Sequence, residues 1–291
     1  MNRILFVVPA IVALTAACQP DQPVRAHAVF PNAPAPTPFT RAYSLSESAD
    51  GKVRVFAQED GDATRLMASW LEGREWSEPR PLDFPHRMTL TNPSFSHADG
   101  ALLFSSDAEI DGLAGRTDLN IWRAPYLGDG EFGPPEPLPV HVINTGANET
   151  SAAVTQDGVL YFATNHSRAG GGGYDIMQAV QDESGAWTVT PLPKYINDPR
   201  ANDHIAVAPD GSWLIFYSHR KPNLGQTDLW RSNRTDDGNW SPPFSLGPDV
   251  NTAAIEMGAG LSADGQTLFF SRDGRLMQIA LDETPQMPPS E

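Results

Sequence analysis

Short apolar runs separated by turn-forming residues recur along most of the chain. The stretch from 151 to 191 shows the pattern most clearly, with strand-like runs at 151–155, 159–163, 174–179 and 187–191. The pair Asp157-Gly158 separates the first two runs. Asp-Gly between two β-runs is a strong tight-turn signal, because glycine supplies a positive φ and aspartate tolerates one. The pattern predicts a unit of four short antiparallel strands.

This unit occurs five times. In each unit one Asp-Gly pair lies between the first two runs, and these five pairs begin at residues 50, 99, 157, 210 and 264, at intervals of 49, 58, 53 and 54 residues. Self-similarity at about 40 to 50 residues, with several short strands per unit, is typical of a β-propeller with one repeat per blade. We therefore predict an all-β fold, a propeller of five four-stranded blades, with six blades as the alternative. The aspartates of these pairs are expected to serve turn geometry and not catalysis.

Aromatic residues mark the second and outer strands of each unit. The second strands carry, five or six residues after each Asp, an aromatic expected in the core: Phe56, Phe104, Phe162, Phe216 and Phe270. The outer strands carry Trp76, Phe132, Trp187 and Trp240, mostly followed by proline. Proline is tolerated there because an outer strand is a sheet edge. It also discourages edge-to-edge aggregation.

The fifth unit ends after three strands, so its outer strand must come from elsewhere. Phe30, followed by Pro31, precedes Asp50 at nearly the spacing of the other outer-strand aromatics. We predict that residues 28–34 pair with the strand at 276–281 and close the ring. Closure removes the open edges that an arc of blades would expose.

The N-terminus resembles an export signal. Arg3 precedes an apolar run from 4 to 14, which is too short to span a membrane, and small residues precede Cys18, the single cysteine. We expect a signal peptide at 1–17, a lipidated Cys18 that opens a Pro- and Ala-rich tether and closing strand at 18–40, one propeller domain at 41–283 and a polar tail at 284–291. The alternative is ordinary cleavage, after Ala28, giving a soluble periplasmic or secreted protein.

The charge of the chain restricts its partners. The net charge is -16, and nucleic-acid binding needs clustered Lys and Arg. A nucleic-acid partner is therefore excluded, and a cationic, neutral or metal-bridged partner fits better.

Several strings resemble a known repeat family. They are Asn144-Thr145 before Asn148-Glu149, DGVLYFATN at 157–165, GGGGYDI at 170–176 and SADGQTLFFSRD at 262–273. They are similar to the WD-repeat-like propeller repeats of TolB-like periplasmic proteins, over residues 40–283. The resemblance implies an exported propeller used mainly for binding beside cell-envelope components, without one shared activity.

The loops that lead into the inner strands and those between the second and third strands should converge on one face, opposite the Asp-Gly turns. We call it the loop face. Three acids there, Glu149, Asp203 and Glu256, occupy near-equivalent positions, with Asn92 in the second unit and Asn148 and His204 beside them. They could bind a metal, a cationic group or a sugar. The alternative is that each acid caps its own blade by accepting backbone N–H bonds.

Two further groups of residues lie on the same face. His166, His219 and Arg220 follow second strands and could bind an anionic or glycan ligand, or form salt bridges that neutralise the acids. Asp107, Glu109, Asp111 and Asp118 have the spacing of a calcium loop with Gly112 at its sixth position, although the flanking elements are strands. A solvated acidic loop is the alternative to calcium.

These observations favour a noncatalytic binding protein, expected as a monomer, whose loop face engages a cell-envelope protein or glycan. The expected location is the periplasmic side of the envelope, with a lipid anchor in the outer membrane. The alternative is a glycoside hydrolase or lyase with carboxylates at the channel mouth, since glycosidases use a pair of carboxylates. No nucleophile-elbow or zinc-protease motif is present.

Overall fold

The computed structural model describes residues 26–33, 40–110, 115–166 and 173–287. Its first strand is β1 (His27–Ala28). Blade 1 contains β2 (Ala42–Glu47), β3 (Val53–Asp60), β4 (Ala63–Glu72), β5 (Glu75–Trp76) and β6 (Arg80–Pro81). Blade 2 contains β7 (Leu90–Phe95), β8 (Leu102–Ser106), β9 (Asn120–Ala124) and β12 (Glu136–Pro137), with a separate hairpin of β10 (Tyr126–Gly128) and β11 (Glu131–Phe132).

The second half of the chain repeats the plan. Blade 3 contains β13 (Glu149–Val154), β14 (Leu160–Thr164), β15 (Asp175–Gln181) and β16 (Trp187–Pro191). Blade 4 contains β17 (Asn202–Val207), β18 (Trp213–Ser218), β19 (Asp228–Asn233) and β20 (Phe244–Ser245). Blade 5 contains β21 (Glu256–Leu261), β22 (Thr267–Arg272) and β23 (Arg275–Ala280), before a 3-10 turn at Leu281–Glu283.

The blades form a ring. Their first strands, β2, β7, β13, β17 and β21, are neighbours in that order, and β21 contacts β2. Buried apolar clusters lie at all five junctions, so each blade shares a core with both neighbours. The predicted second-strand aromatics belong to these cores, with exposures of 4% or less. The five-bladed prediction is confirmed, and the described strands hold no sixth blade.

The N-terminal segment closes the ring against β23 as predicted, but the pairing covers residues 27–29, and the described residues 30–33 of the predicted range do not pair with β23. In β1, His27 pairs with Gln278 and Ala28 with Met277 in β23. The Val29 N–H then donates to the Leu276 carbonyl at 3.0 Å. Beyond the strand, Phe30 packs against Phe56 of blade 1, with ring centroids 5.8 Å apart. Strand pairing and aromatic packing thus join the first part of the chain to the last.

The Asp-Gly pairs form the turns between first and second strands. Their glycines have φ values between 67° and 84°. In blade 5, Asp264 accepts hydrogen bonds from the Ser262 hydroxyl at 2.6 Å and the Gln266 N–H at 3.0 Å. The carboxylates are therefore occupied by the turns, as the sequence predicted.

Two expected outer-strand residues lie elsewhere. Trp240 forms an isolated bridge with Arg234, ahead of the outer strand β20. Phe132 belongs to the β10–β11 hairpin, and the strand that pairs with β9 is β12, after Pro134 and Pro135. Proline lacks the N–H that a ladder requires, so pairing with β9 begins only beyond this Pro-Pro step.

Candidate functional site

All five inner strands share a β-bulge at their third residue. The ladder shifts register there, and the third residue has a left-handed φ of 50° to 68°. These residues are Ser44, Asn92, Ser151, His204 and Gly258. A bulge bends its strand and redirects the side chains beside it. The five equivalent bulges lie near the propeller axis and redirect the side chains there. We call this part of the molecule, the loop-face end of the propeller axis, the mouth.

Glycine is required at the fifth of these positions. A Cβ on Gly258 would lie 2.5 Å from the backbone N of Ser44 and 3.0 Å from the Cβ of Tyr43. Blade 5 therefore approaches blade 1 closely at the mouth. The other four blades keep a polar side chain at the equivalent point.

Glu149 and Glu256 hold the loops that precede their own strands. Both are fully buried. Glu149 accepts the Thr145 hydroxyl at 2.6 Å, the Thr145 N–H at 3.0 Å and the Thr164 hydroxyl at 3.1 Å. Glu256 accepts the equivalent Thr252 hydroxyl and N–H at 2.6 and 3.1 Å. Burial raises the pKa of Glu149, against the effect of these donors. The arrangement is that of a blade cap.

In blades 4 and 5 an arginine side chain also holds the loop that precedes the inner strand. The Arg272 Nε bonds Glu256 at 3.1 Å, while its Nη2 donates to the Val250 carbonyl. Arg220 has the same role in blade 4, where it donates to the Tyr195 carbonyl at 2.8 Å and to Asn202 Oδ1 at 2.9 Å. Burial lowers the pKa of Arg220 to about 10.

Asp203 differs from the two glutamates because it lies one register position further along its strand. Glu149 pairs with Thr164 and Glu256 with Arg272, whereas the residue at that position of blade 4 is Asn202. Asp203 accepts the Thr150 hydroxyl of blade 3 at 3.1 Å and the His204 N–H at 2.7 Å. It is 5% exposed. The three acids of the predicted ring therefore divide into two loop caps and one residue at the mouth.

Aromatic side chains cross the mouth beside Asp203. The His204 ring stacks on Tyr43 at 5.6 Å, although blades 4 and 1 are not neighbours in the ring. On its other side His204 meets Tyr217 edge-on at 4.9 Å, and Tyr217 meets His219 at 5.9 Å. We call Tyr43, His204, Tyr217 and His219 the aromatic row.

The electrostatics of the row reflect burial and the Asp203 charge. Burial lowers the pKa of His204, opposed by Asp203, and its buried Nδ1 has no hydrogen-bond partner among the described residues. Burial is the main cause that raises the pKa of Tyr174 to about 12, and the negative charge of Asp203 is the second. The same two causes, in the same order, raise the pKa of Tyr217. His204 is therefore neutral at physiological pH, and Asp203 lies among neutral aromatic groups.

The remaining predicted residues are distributed around this centre. Asn92 accepts the hydroxyls of Thr91 at 3.2 Å and Ser44 at 3.4 Å. Asn148 accepts the Leu119 N–H at 2.8 Å and so links blades 2 and 3. His166 is exposed, and its N–H donates to the Thr164 hydroxyl at 3.1 Å.

The predicted calcium residues have individual roles. Asp107 accepts the backbone N–H groups of residues 87, 88 and 89 at 2.8 to 3.1 Å. Glu109 pairs with Arg87 at 3.3 Å and Asp118 with Arg116 at 2.7 Å. Asp111 lies outside the described residues, as does Cys18. Within the described ranges, no cluster of His, Cys, Asp and Glu forms a metal site.

Two concavities lie away from the mouth. A cavity of about 20 Å³, room for about one water molecule, lies within the ring towards the Asp-Gly face, beside His97 and Ile205. Burial lowers the pKa of His97. A groove of about 490 Å³ lies between blades 5 and 1, beside Arg54 and Gln278.

The chain is similar in structure to several solved proteins. A protein described as TolB from Agrobacterium tumefaciens matches with a TM-score of 0.53 and 19% identity, over 86% of this chain and 80% of that one. A thermostable family-43 glycoside hydrolase matches with a TM-score of 0.55 and 13% identity, over 87% and 97%. A Bacteroides ovatus protein described as a glycoside hydrolase matches with a TM-score of 0.50 and 12% identity, over 83% and 86%.

No family model matches the chain, and no curated protein matches it in sequence. No helix among the described residues is both long and apolar enough to cross a membrane. At identities below 20% the structural likenesses establish the fold alone. The chain is a five-bladed β-propeller, built on the general plan that TolB and glycoside hydrolase structures share.

Proposed function

We propose that this protein is a noncatalytic binding protein of the bacterial cell envelope, and that its loop face engages another protein. The observation that carries the proposal is the division of the three predicted acids. Glu149 and Glu256 hold loops, and Asp203 faces the mouth beside the aromatic row. An aromatic centre with one buried polar anchor is typical of a binding surface.

Exposed apolar side chains on the loops around the mouth favour a protein over a glycan as the partner. Met88 is 50% exposed, Tyr195 43% and Leu224 57%. Aromatic and Met side chains are enriched at protein interfaces, and exposed apolar patches mark interaction sites. A glycan partner remains the second form of the same proposal, because tyrosine and amide groups also bind sugars.

The glycoside hydrolase or lyase alternative is less well supported. Retaining and inverting glycosidases place two carboxylates about 5 to 9.5 Å apart around the scissile bond. Two of the three acids predicted for that role accept hydrogen bonds from threonines of their own loops. The larger groove lies on a different part of the molecule.

The expected location of this protein is the periplasmic side of the envelope, with Cys18 lipidated and the tether holding the propeller away from the outer membrane. The N-terminal sequence supports this proposal. The structural likeness to TolB is consistent with it. A soluble periplasmic or secreted form is the alternative.

Affinity capture from an envelope extract tests the function. Leu224→Asp places a charge on the loop face, and Leu127→Asp makes the same change at a residue of similar exposure, 68%, in the β10–β11 hairpin. We expect Leu224→Asp to lose partners that wild type and Leu127→Asp retain. Identical partner sets for all three proteins would refute the loop face as the binding surface.

A further inference from the structure

The carboxylate of Asp203 has two hydrogen-bond donors, as many as Asp228 and fewer than Asp107 or Glu149. Asp107 accepts three separate backbone N–H groups, and Glu149 accepts three separate donors. Asp203 has two, the His204 N–H and the Thr150 hydroxyl, and that hydroxyl lies 3.1 Å from Oδ1 and 3.2 Å from Oδ2. A hydroxyl has one proton to donate. The two oxygens of Asp203 therefore share two donors: each has one when the hydroxyl bonds Oδ2, and Oδ2 has none when the hydroxyl bonds Oδ1.

No Lys or Arg in the described ranges forms an ion pair with Asp203. Buried Glu256, by comparison, pairs with Arg272 at 3.1 Å. Buried carboxylates are normally paired or fully hydrogen-bonded, because the desolvated charge is otherwise costly. Asp107 and Glu149 are buried without an ion pair among the described residues as well, but each has three donors, whereas Asp203 has two.

The surroundings of Asp203 suit a cation. Tyr174 and Tyr217 are close enough for the Asp203 charge to act on their phenols. His204 adds a neutral ring beside Tyr217. Aromatic faces attract cations, and the attraction grows when water is excluded. The net charge of -16 also attracts a basic partner over a longer range.

We propose that Asp203 anchors a basic side chain, Lys or Arg, which the protein partner inserts at the mouth. This inference rests on the proposed function and names the partner's anchoring chemistry. The ammonium or guanidinium group supplies a further donor and a counter-ion to Asp203, and its aliphatic stem packs against the aromatic row. The exposed Met88, Tyr195 and Leu224 contact the rest of the partner.

Small probes test the anchor without knowledge of the partner. Nα-acetyl-lysine methylamide and Nα-acetyl-arginine methylamide are titrated into the protein and followed by NMR, with Nα-acetyl-norleucine methylamide as the neutral probe. We expect a basic probe to bind wild type at least tenfold more tightly than the norleucine probe. Asp203→Asn should weaken basic-probe binding at least tenfold, as loss of a desolvated charge pair does. Glu109→Gln, an exposed acid of the same face, should leave it unchanged.

A second variant guards against a folding effect of Asp203→Asn. Tyr217→Leu keeps the charge and removes an aromatic wall, and it should weaken the basic probes about threefold or more. Equal basic-probe affinity in Asp203→Asn and wild type would overturn the inference. So would the absence of basic-probe binding to wild type.

Two further arms separate the other sources of a cation. Glucosamine that binds more tightly than the lysine probe would assign the anchor to an amino sugar and overturn the choice of a protein side chain. Arg168 lies in the segment 167–172, outside the described residues. If basic probes bind Arg168→Gln but not wild type, the chain supplies its own counter-ion and the inference fails. In every failing case, loss of partners by Leu224→Asp would still support the proposed function.

Discussion

The loop-capping role of the two buried glutamates predicts a stability loss when their threonine donors are removed. Thr145→Val and Thr252→Val keep the side-chain shape and remove the hydroxyl. Each variant loses the hydrogen bond of 2.6 Å from the threonine hydroxyl to the glutamate, worth about 1.5–3 kcal/mol. It also loses the bond of 3.2 Å that the hydroxyl accepts from the backbone N–H two residues later, worth about 1 kcal/mol. The added methyl group returns less than about 1 kcal/mol. We expect each variant to lower the free energy of unfolding by about 2–3 kcal/mol.

Urea unfolding followed by circular dichroism measures this loss. Thr188→Val, at an exposed position of β16, is the matched control and should change stability by less than about 0.5 kcal/mol. If Glu149 and Glu256 served to bind a ligand at the mouth and not to hold their loops, removal of the threonine hydroxyls would leave the free energy of unfolding nearly unchanged. Losses below about 0.5 kcal/mol in both test variants would refute the capping role.

Three other predictions concern the bulge, the buried histidines and the anchor. Gly258→Ala should cost more than about 3 kcal/mol in urea unfolding, because its Cβ would meet backbone, whereas Gly100→Ala, with a similar φ and open space, should cost about 1 kcal/mol; equal costs would contradict the close approach. Burial lowers the pKa values of His97 and His204, so as the pH falls the unfolded chain binds protons on these residues before the folded protein does. The free energy of unfolding should therefore fall between about pH 7.5 and 6.0, and it should fall less steeply when both residues are changed to Gln. An unchanged slope in that variant would refute this prediction. Cys18→Ser should release the protein from the membrane fraction, and an unchanged distribution would rule out lipidation.

Much of the fold could be predicted because its signals are local. An Asp-Gly turn depends on two adjacent residues, and the five Asp-Gly pairs that recur between equivalent strands, about 50 residues apart, mark five blades. The closing strand was also predictable, since the short fifth unit and the spacing of Phe30 both indicate it. Phe132 was misplaced because an extra hairpin precedes the outer strand of blade 2, and nothing near Phe132 in the sequence distinguishes the two strands.

The site was less predictable because it depends on register and on contacts across the ring. Glu149, Asp203 and Glu256 lie at similar distances from their turns, and a one-residue difference decides which acid faces the mouth. Tyr43 and His204 are distant in sequence and belong to blades that are not adjacent. The sequence contains a local signal for only two of the bulges, at Gly258 and Asn92, because glycine and asparagine tolerate a positive φ.

Site-specific photo-crosslinking in intact cells tests the central claim, that the loop face is the binding surface, most directly. A photoreactive phenylalanine analogue replaces exposed Met88 or Leu224 on the loop face, or Asp157 or Asp210 in the turns of the opposite face. We expect adducts of defined mass from the two loop-face positions and none from the turns. Adducts from the turns, with none from the loop face, would contradict it.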